Sequence, residues 1–394
     1  MKILLADKLH PQSVEALKQI PGAVVENLPN LGPDDLPSKI PGFDVLIVRS
    51  TKVTAATIAA ADELGLVIRA GSGYNTIDVE GASAKGIYVA NCPGKNAIAV
   101  AELAVGLILS LERSIADNVL DLRAGRWNKG KYSKASGLKG KTVGLVGLGS
   151  IAQETAERLR PFGVNLVAWS RSLTAEQAEK LGVIRVELSQ LAEMSDIVSL
   201  HVALAAETRG LINEAFLEKM KPGAILINTC RAEVVDSKAL LAAMNSKGIR
   251  YGSDVLDQEP SGKDGEFISE VGQHANCYAT HHIGASTDQA EYDTGMEACR
   301  IVEAYAQGQS IPNCVNMRTS PVTGHVVAIR HEDRVGVLAG ILGVLKEHGH
   351  NVQEMENLIF AGAKAACARL TLDCPVDPAQ VAALKKCEGV ISVR

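Results

Sequence analysis

Aromatic residues make only 4 % of the 394 residues, so the cores must be built from Val, Ile, Leu and Ala, a choice that favours layered sheets and helices. The chain also lacks any C-x-x-C pair. Its eight cysteines, at 92, 230, 277, 299, 314, 367, 374 and 387, have a spacing that indicates neither a zinc site nor a disulfide framework, and no metal is expected. There is no block of Lys or Arg, and the formal charge is -5; this argues against nucleic acid or an anionic membrane as the main partner. Long apolar runs are missing too. The most apolar stretch, Ala97 to Leu111, contains Glu102 and falls short of the roughly 18–20 residues that span a bilayer. The opening "MKILLADKLH" reads as a first strand rather than a signal peptide. A soluble, cytoplasmic protein is the expectation.

What is present points to ordered α/β structure. The length suggests two or three domains. Short apolar runs such as "KILLAD", "DVLIVRS", "LVIRAG" and "IYVANCPG" alternate with helix-like segments, and "TVGLVGLGS", "VNLVAWS", "IVSLHVA", "AILINTC" and "IRYGSDVLD" repeat the pattern. Strands alternating with helices imply parallel β-α units, here two Rossmann-like, doubly wound sheets. The stretch from Gly308 to Gly324 lacks periodicity and carries two prolines, so it reads as a linker. Beyond it the order of strand- and helix-like segments is βαββαβ, a ferredoxin-like unit.

One loop has the chemistry of a dinucleotide cradle. Gly147-Leu148-Gly149-Ser150-Ile151-Ala152 follows "TVGLV" and opens a helix, the context that gives a G-x-G-x-x-G pattern its meaning. Gly147 permits a tight turn, and Gly149 lets a pyrophosphate approach backbone N–H groups at the start of the helix, at Ser150 and Ile151. About twenty residues on, a carboxylate would bind the ribose and repel a 2′-phosphate. Ser170 and then Arg171 stand there instead. Serine cannot repel and Arg171 can receive that phosphate, so NAD and NADP both stay open as cofactor.

Three later segments, "INTCRAEVVD", "GSDVLDQEP" and "ATHHIGAST", carry reactive side chains at strand ends, where open α/β sheets place ligands. Their patterns, N-x-x-R-x-x-x-V-D, D-V-x-x-x-E-P and H-I-G, resemble those of the D-isomer-specific 2-hydroxyacid dehydrogenases, in matching order over residues 1 to 313. The resemblance implies that Arg231 binds the substrate carboxylate and carbonyl, His282 is the acid/base and Glu259 orients it. Residue chemistry agrees: imidazole titrates near working pH, and guanidinium matches a carboxylate bidentately. The resemblance further implies Asp254 on the nicotinamide carboxamide, and Thr229, Cys230, Gly284 and Ala285 near the ring. Ser72 and Gly73 match a loop shared by cofactor and substrate, and Asn96 matches a substrate-loop asparagine. The chain departs from the pattern at Ala232, Glu233 and His281, where Gly, Gly and Pro are common. The implied architecture is a substrate domain split into residues 1–91 and 285–313, a nucleotide domain over 92–284 and a tail over 324–394.

"VRSTKVTAATI", "AGSGYNTID" and "GRWNKGK" resemble members of the family that act on a phosphorylated substrate, 3-phosphoglycerate. Arg49, Ser50 and Lys52 would then hold the phosphate, with Lys129 adding charge from a neighbouring subunit. Reduction of glyoxylate or hydroxypyruvate is the alternative within the family, and a nucleotide-sensing protein without turnover is the alternative outside it. The helix from Ala97 is apolar nearly all round; helices in that place form the family's dimer interface, so at least a homodimer is expected. "HEDRVGVLAGILGVLKEHGHNV" resembles an ACT domain, which implies an amino-acid effector, L-serine, at His331, Asp333 and Asn351.

Overall fold

Strands form where branched apolar runs end in glycine or polar residues, and the computed structural model describes them over residues 1–260, 265–318 and 323–394. The first sheet holds β1 (Lys2–Leu5), β2 (Val24–Asn27), β3 (Val45–Val48), β4 (Leu66–Arg69) and β5 (Tyr88–Asn91). All run parallel in the order β2-β1-β3-β4-β5. β3 is buried at every position, which is why it reads as an unbroken apolar run. The helix Asp288–Ala306 returns to this sheet and sets Ala298, Ile301 and Val302 against Ile3, Leu5 and Ile47.

The second sheet contains β6 (Thr142–Val146), β7 (Asn165–Trp169), β8 (Ile184–Arg185), β9 (Ile197–Leu200), β10 (Ile225–Asn228), β11 (Arg250–Ser253) and β12 (Cys277–Ala279). It is parallel, in the order β12-β11-β10-β9-β6-β7-β8. The strand order reverses between β6 and β9, which opens a crevice at the ends of those two strands.

The chain divides into two compact units, Met1–Asn316 and Met317–Arg394. The linker expected from Gly308 is therefore shorter than its composition suggests. Val315 N–H donates to the Val89 carbonyl at 2.8 Å, and the Asn316 side chain accepts from Val89 N and donates to the Ile87 carbonyl. A side-chain amide here does what a strand partner would do, leaving no periodic pattern to read. Residues 319–322 of that stretch lie outside the described residues.

In the second unit β13 (His325–Glu332), β14 (Val352–Ile359), β15 (Ala365–Leu372) and β16 (Val390–Val393) form an antiparallel sheet in the order β14-β15-β13-β16. The helices Val337–Glu347 and Pro378–Lys386 bring Ile341, Leu345 and Leu384 onto Ile329 and Leu370.

The helix Ala97–Arg113 buries Val100, Ala104, Leu107, Ile108 and Leu111 inside its own unit. A Cβ at Gly252 of β11 would come 3.0 Å from Leu111, so one face of the helix packs closely on the sheet. Ile98 is exposed on this helix, and more apolar side chains are exposed one helix later, on Ile115–Arg123: Ile115, Val119, Leu120 and Leu122, followed by Trp127. Among the described residues no helix is long and apolar enough to cross a membrane.

Candidate active site

Gly147 follows β6 with φ +91, and a side chain there would collide with the carbonyl of His201 at the end of β9. Gly149 has open space where a Cβ would be. It precedes the helix Ser150–Leu159, whose first turn has no side-chain cap. Uncapped N–H groups at the positive end of a helix dipole suit a phosphate. A cavity of about 220 Å³ begins here and is lined by Gly147, Gly149, Ser170, Arg171, His201 and Thr208. Its residues fit a dinucleotide. Arg171 is 66 % exposed and 3.7 Å from the equally exposed Glu207, a weak pairing that leaves its guanidinium able to turn toward a 2′-phosphate. His201, absent from the residues picked out by motif, lines this cavity half-buried, and the loss of solvent around its ring pushes its pKa down to about 4. Its ring therefore stays neutral, with Nε2 on Ser199 Oγ at 2.9 Å and Nδ1 unpartnered.

The N-x-x-R spacing acts through Asn228, the last residue of β10. Its amide accepts from Cys230 N at 3.0 Å and donates to the Arg231 carbonyl at 2.9 Å, which turns the chain and leaves Arg231 extended at φ -149. Thr229 Oγ1 is buried in this turn without a partner. The Arg231 guanidinium reaches the loop after β4, where a Cβ at Gly73 would come 2.8 Å from Nη2. In the same loop Ser72 Oγ donates to Asn96 Oδ1 at 2.8 Å.

Glu259 accepts from Leu256 N at 2.8 Å through one oxygen and meets His282 Nδ1 at 2.7 Å through the other. Burial pushes its carboxyl up, but the bonds from His282 and Leu256 and the charge of Arg231 outweigh it and hold the group below its usual range. The hydrogen bond to Glu259 raises the His282 pKa; burial and Arg231 oppose this, while Asp254 adds to it. Arg231, Glu259 and Asp254 thus all lie within electrostatic reach of His282. The carboxylate on Nδ1 leaves Nε2 as the nitrogen open to a further hydrogen bond.

Asp254 is 2 % exposed. Its carboxylate accepts from Ile283 N at 2.8 Å, Gly284 N at 2.7 Å and Thr280 Oγ1 at 2.6 Å, and so holds the loop in which His282 takes φ +54.

The basic group read from the first domain is divided. Arg49 lines a cleft shared with Asn96 and Ala285 and pairs with Glu291 at 2.7 Å. Ser50 turns away, its N–H and hydroxyl both on Asp7. Lys52 and Lys129 are exposed and make no ion pair among the described residues. The cleft instead receives Arg69, the last residue of β4, which motif reading passed over. It is mostly buried and its Nε has no partner; burial first, then Arg231 and Arg49, pull its pKa down. Gly71 makes room for it, since a Cβ there would overlap the guanidinium. The available signal was a charged residue ending an otherwise apolar run, "LVIRAG".

In the second unit His331 is buried against the Glu332 carbonyl and Asn357, and Asp333 follows β13. Asn351 precedes Val352, which pairs with Leu372, whereas His331 pairs with Ala366. Six residues of extended strand put Asn351 about 20 Å from His331, so the three do not converge within one chain.

A glycine-rich crevice with an imidazole–carboxylate pair at the neighbouring strand ends suits a nicotinamide-dependent oxidoreductase. Residues 105–284 match the D-isomer specific 2-hydroxyacid dehydrogenase, NAD binding domain. A hydroxypyruvate reductase of Thermotoga maritima is 43 % identical over 270 residues, 68 % of this chain and 86 % of that protein. A D-3-phosphoglycerate dehydrogenase of Methanocaldococcus jannaschii is 36 % identical over 324 residues, 82 % of this chain. The chain spans about three-fifths of the length of the phosphoglycerate dehydrogenases it matches, 60 % in this case. Among solved structures, an acyclic imino acid reductase in complex with NADPH and D-Arg superposes with a TM-score of 0.70 at 26 % identity, covering 80 % of this chain and 100 % of that one. The chain belongs to the D-isomer-specific 2-hydroxyacid dehydrogenase family of NAD-dependent oxidoreductases.

Proposed function

We propose that the protein is a D-3-phosphoglycerate dehydrogenase, oxidising the C2 hydroxyl of 3-phosphoglycerate to give 3-phosphooxypyruvate, the first step of L-serine biosynthesis. The observation that carries the reading is the half-buried cleft cation Arg69, whose Nε is buried without a partner, with Arg49 and Arg231 in electrostatic reach. Such a concentration of guanidinium suits a substrate bearing both a carboxylate and a phosphate. Several phosphoglycerate dehydrogenases at 34–37 % identity support it.

In this mechanism Arg231 holds the substrate carboxylate, and His282 Nε2 takes the hydroxyl proton. Glu259 keeps the ring oriented and stabilises the imidazolium that forms. The bound nicotinamide, NAD or NADP, supplies the hydride acceptor, and the chain fits it through Gly147, Gly149, Ser150 and Ile151, with Ser170 and Arg171 at the ribose. Thr229, Cys230, Gly284 and Ala285 would hold the nicotinamide end, with Asp254 acting through the loop it anchors. Residues 1–91 and 285–313 form the substrate domain, 92–284 the nucleotide domain and 324–394 an ACT-type regulatory domain responsive to L-serine. The apolar face of Ile115–Arg123 suits a second copy in a cytoplasmic homodimer.

The 43 % identity to a hydroxypyruvate reductase supports a second reading, reduction of an unphosphorylated 2-oxo acid with NADPH. Specificity constants for phosphohydroxypyruvate, hydroxypyruvate and glyoxylate, each with NADH and NADPH, separate the two. Phosphohydroxypyruvate should lead; a higher constant for hydroxypyruvate or glyoxylate would assign the reductase instead.

A further inference from the structure

At the end of the second unit's sheet where β14 begins and β15 ends, three donor side chains from two loops meet: His350, Asp373 and Cys374. Cys374 Sγ is 3.2 Å from His350 Nδ1 and 3.5 Å from Asp373 Oδ1. His350 is 9 % exposed, while Cys374 faces solvent. The three lie far apart in the sequence or side by side in it, and no spacing motif announces them.

The protonation pattern is set from outside the cluster. Gln380 occupies the third position of the helix Pro378–Lys386 and closes a capping box with Asp377: its side-chain oxygen accepts from Asp377 N at 2.9 Å, while its own N–H donates to Asp377. The capping box fixes which end of the amide is oxygen. That same oxygen lies 2.9 Å from His350 Nε2, so Nε2 must carry the proton. Nδ1 is then a bare lone pair aimed at the sulfur. An imidazole that donates one N–H to an oxygen and offers the other nitrogen as an acceptor has the arrangement of a metal-ligating histidine with its outer support in place. Asp373 is likewise held, accepting from Asn351 N at 3.0 Å.

We propose that His350 Nδ1, Asp373 and Cys374 Sγ bind a zinc ion, with water in the fourth position. A tetrahedral ion about 2.3 Å from sulfur and about 2.0–2.2 Å from nitrogen or oxygen sets its ligand atoms roughly 3.5 Å apart. The sulfur–oxygen separation already has that value, and the sulfur–nitrogen separation needs to open by a few tenths of an ångström. The set of one thiolate, one imidazole and one carboxylate favours Zn²⁺ over the hard cations Mg²⁺ and Ca²⁺. Binding replaces the thiol proton, which leaves to water, and no electron is transferred. The ion ties the start of β14 to the loop that leads into the last helix.

Equilibrium dialysis of the chelator-stripped full chain against zinc chloride, with metal counted per chain, tests this. Wild type should retain one Zn²⁺ that Cys374→Ser loses or holds at least tenfold more weakly. Cobalt should give a thiolate-to-metal absorption band in wild type that is missing from Cys374→Ser. Gln380→Leu should weaken zinc by about 10–100-fold, whereas Gln380→Glu, which keeps both the helix cap and an acceptor for Nε2–H, should bind as tightly or more so. Equal retention by wild type and Cys374→Ser, or equal weakening by Gln380→Leu and Gln380→Glu, would overturn the site.

Discussion

The His282–Glu259 pair carries a pH signature. His282 is raised by Glu259, and Glu259 is lowered chiefly by His282 once burial is offset. Alcohol oxidation needs the free imidazole, so its rate should climb as pH rises through the raised His282 value, while ketone reduction persists up to that same pH. The stability linked to His282 is complete below its unfolded value, near 6.5, and is lost as pH rises through the folded one; that linked to Glu259 is lost as pH falls through its lowered value. Glu259→Gln removes the largest raising charge and leaves burial and Arg231, which lower His282, against Asp254, which raises it by less than burial lowers it. The alkaline climb of oxidation should therefore move to lower pH and turnover should drop by about 10²–10⁴. An unmoved pH profile in steady-state assays would show that Glu259 does not govern His282. These residues were legible because each sits in a short pattern with its neighbours. Arg69 was not, because its importance comes from Gly71 leaving space and from Arg49 and Arg231 arriving from elsewhere in the fold.

The loop after β12 is held open for chemistry by one buried carboxylate. Resemblance assigns Asp254 to the nicotinamide, yet in the fold it receives the N–H groups of Ile283 and Gly284, and a Cβ at Gly284 would come 2.8 Å from it. Asp254→Ala should free those two amides to exchange faster with solvent, and turnover should fall by about 10², the usual cost of misplacing a catalytic group by an ångström. Unchanged exchange at Ile283 and Gly284, with only the KM for cofactor raised, would instead return Asp254 to a purely cofactor-facing role. Legibility among elements follows burial. Strands inside the sheets, such as β3 and β10, are buried at every position and are plain in the sequence. β2 and β8, at sheet edges, expose most of their side chains, so neither apolar run nor alternation marks them. The helix Ala97–Arg113 is apolar nearly all round, and the chain's own β10 and β11 cover one side of it.

For the molecule as a whole, the distance between His331 and Asn351 decides what regulation requires. The two lie at opposite ends of the four-stranded sheet, so an amino acid small enough to be L-serine cannot bridge them within one chain. If all three implied residues contact the effector, His331 and Asp333 of one copy must face Asn351 of another. In a twofold pair each such site is made once from each chain, because the contact of one residue with the other is repeated in reverse. His331→Ala and Asn351→Ala proteins, each pure, should then bind no serine in calorimetry. Co-expression places the variants in one pair, where one site carries both changes and the other carries neither. Random pairing makes half of the dimers mixed, so serine binding should return at about a quarter of the sites. Binding that stays absent in the mixture while wild type binds would mean that each replacement disables the site on its own chain, and the shared site would be removed. Serine binding by the pure Asn351→Ala protein would remove Asn351 from the site, and the need for a second copy with it.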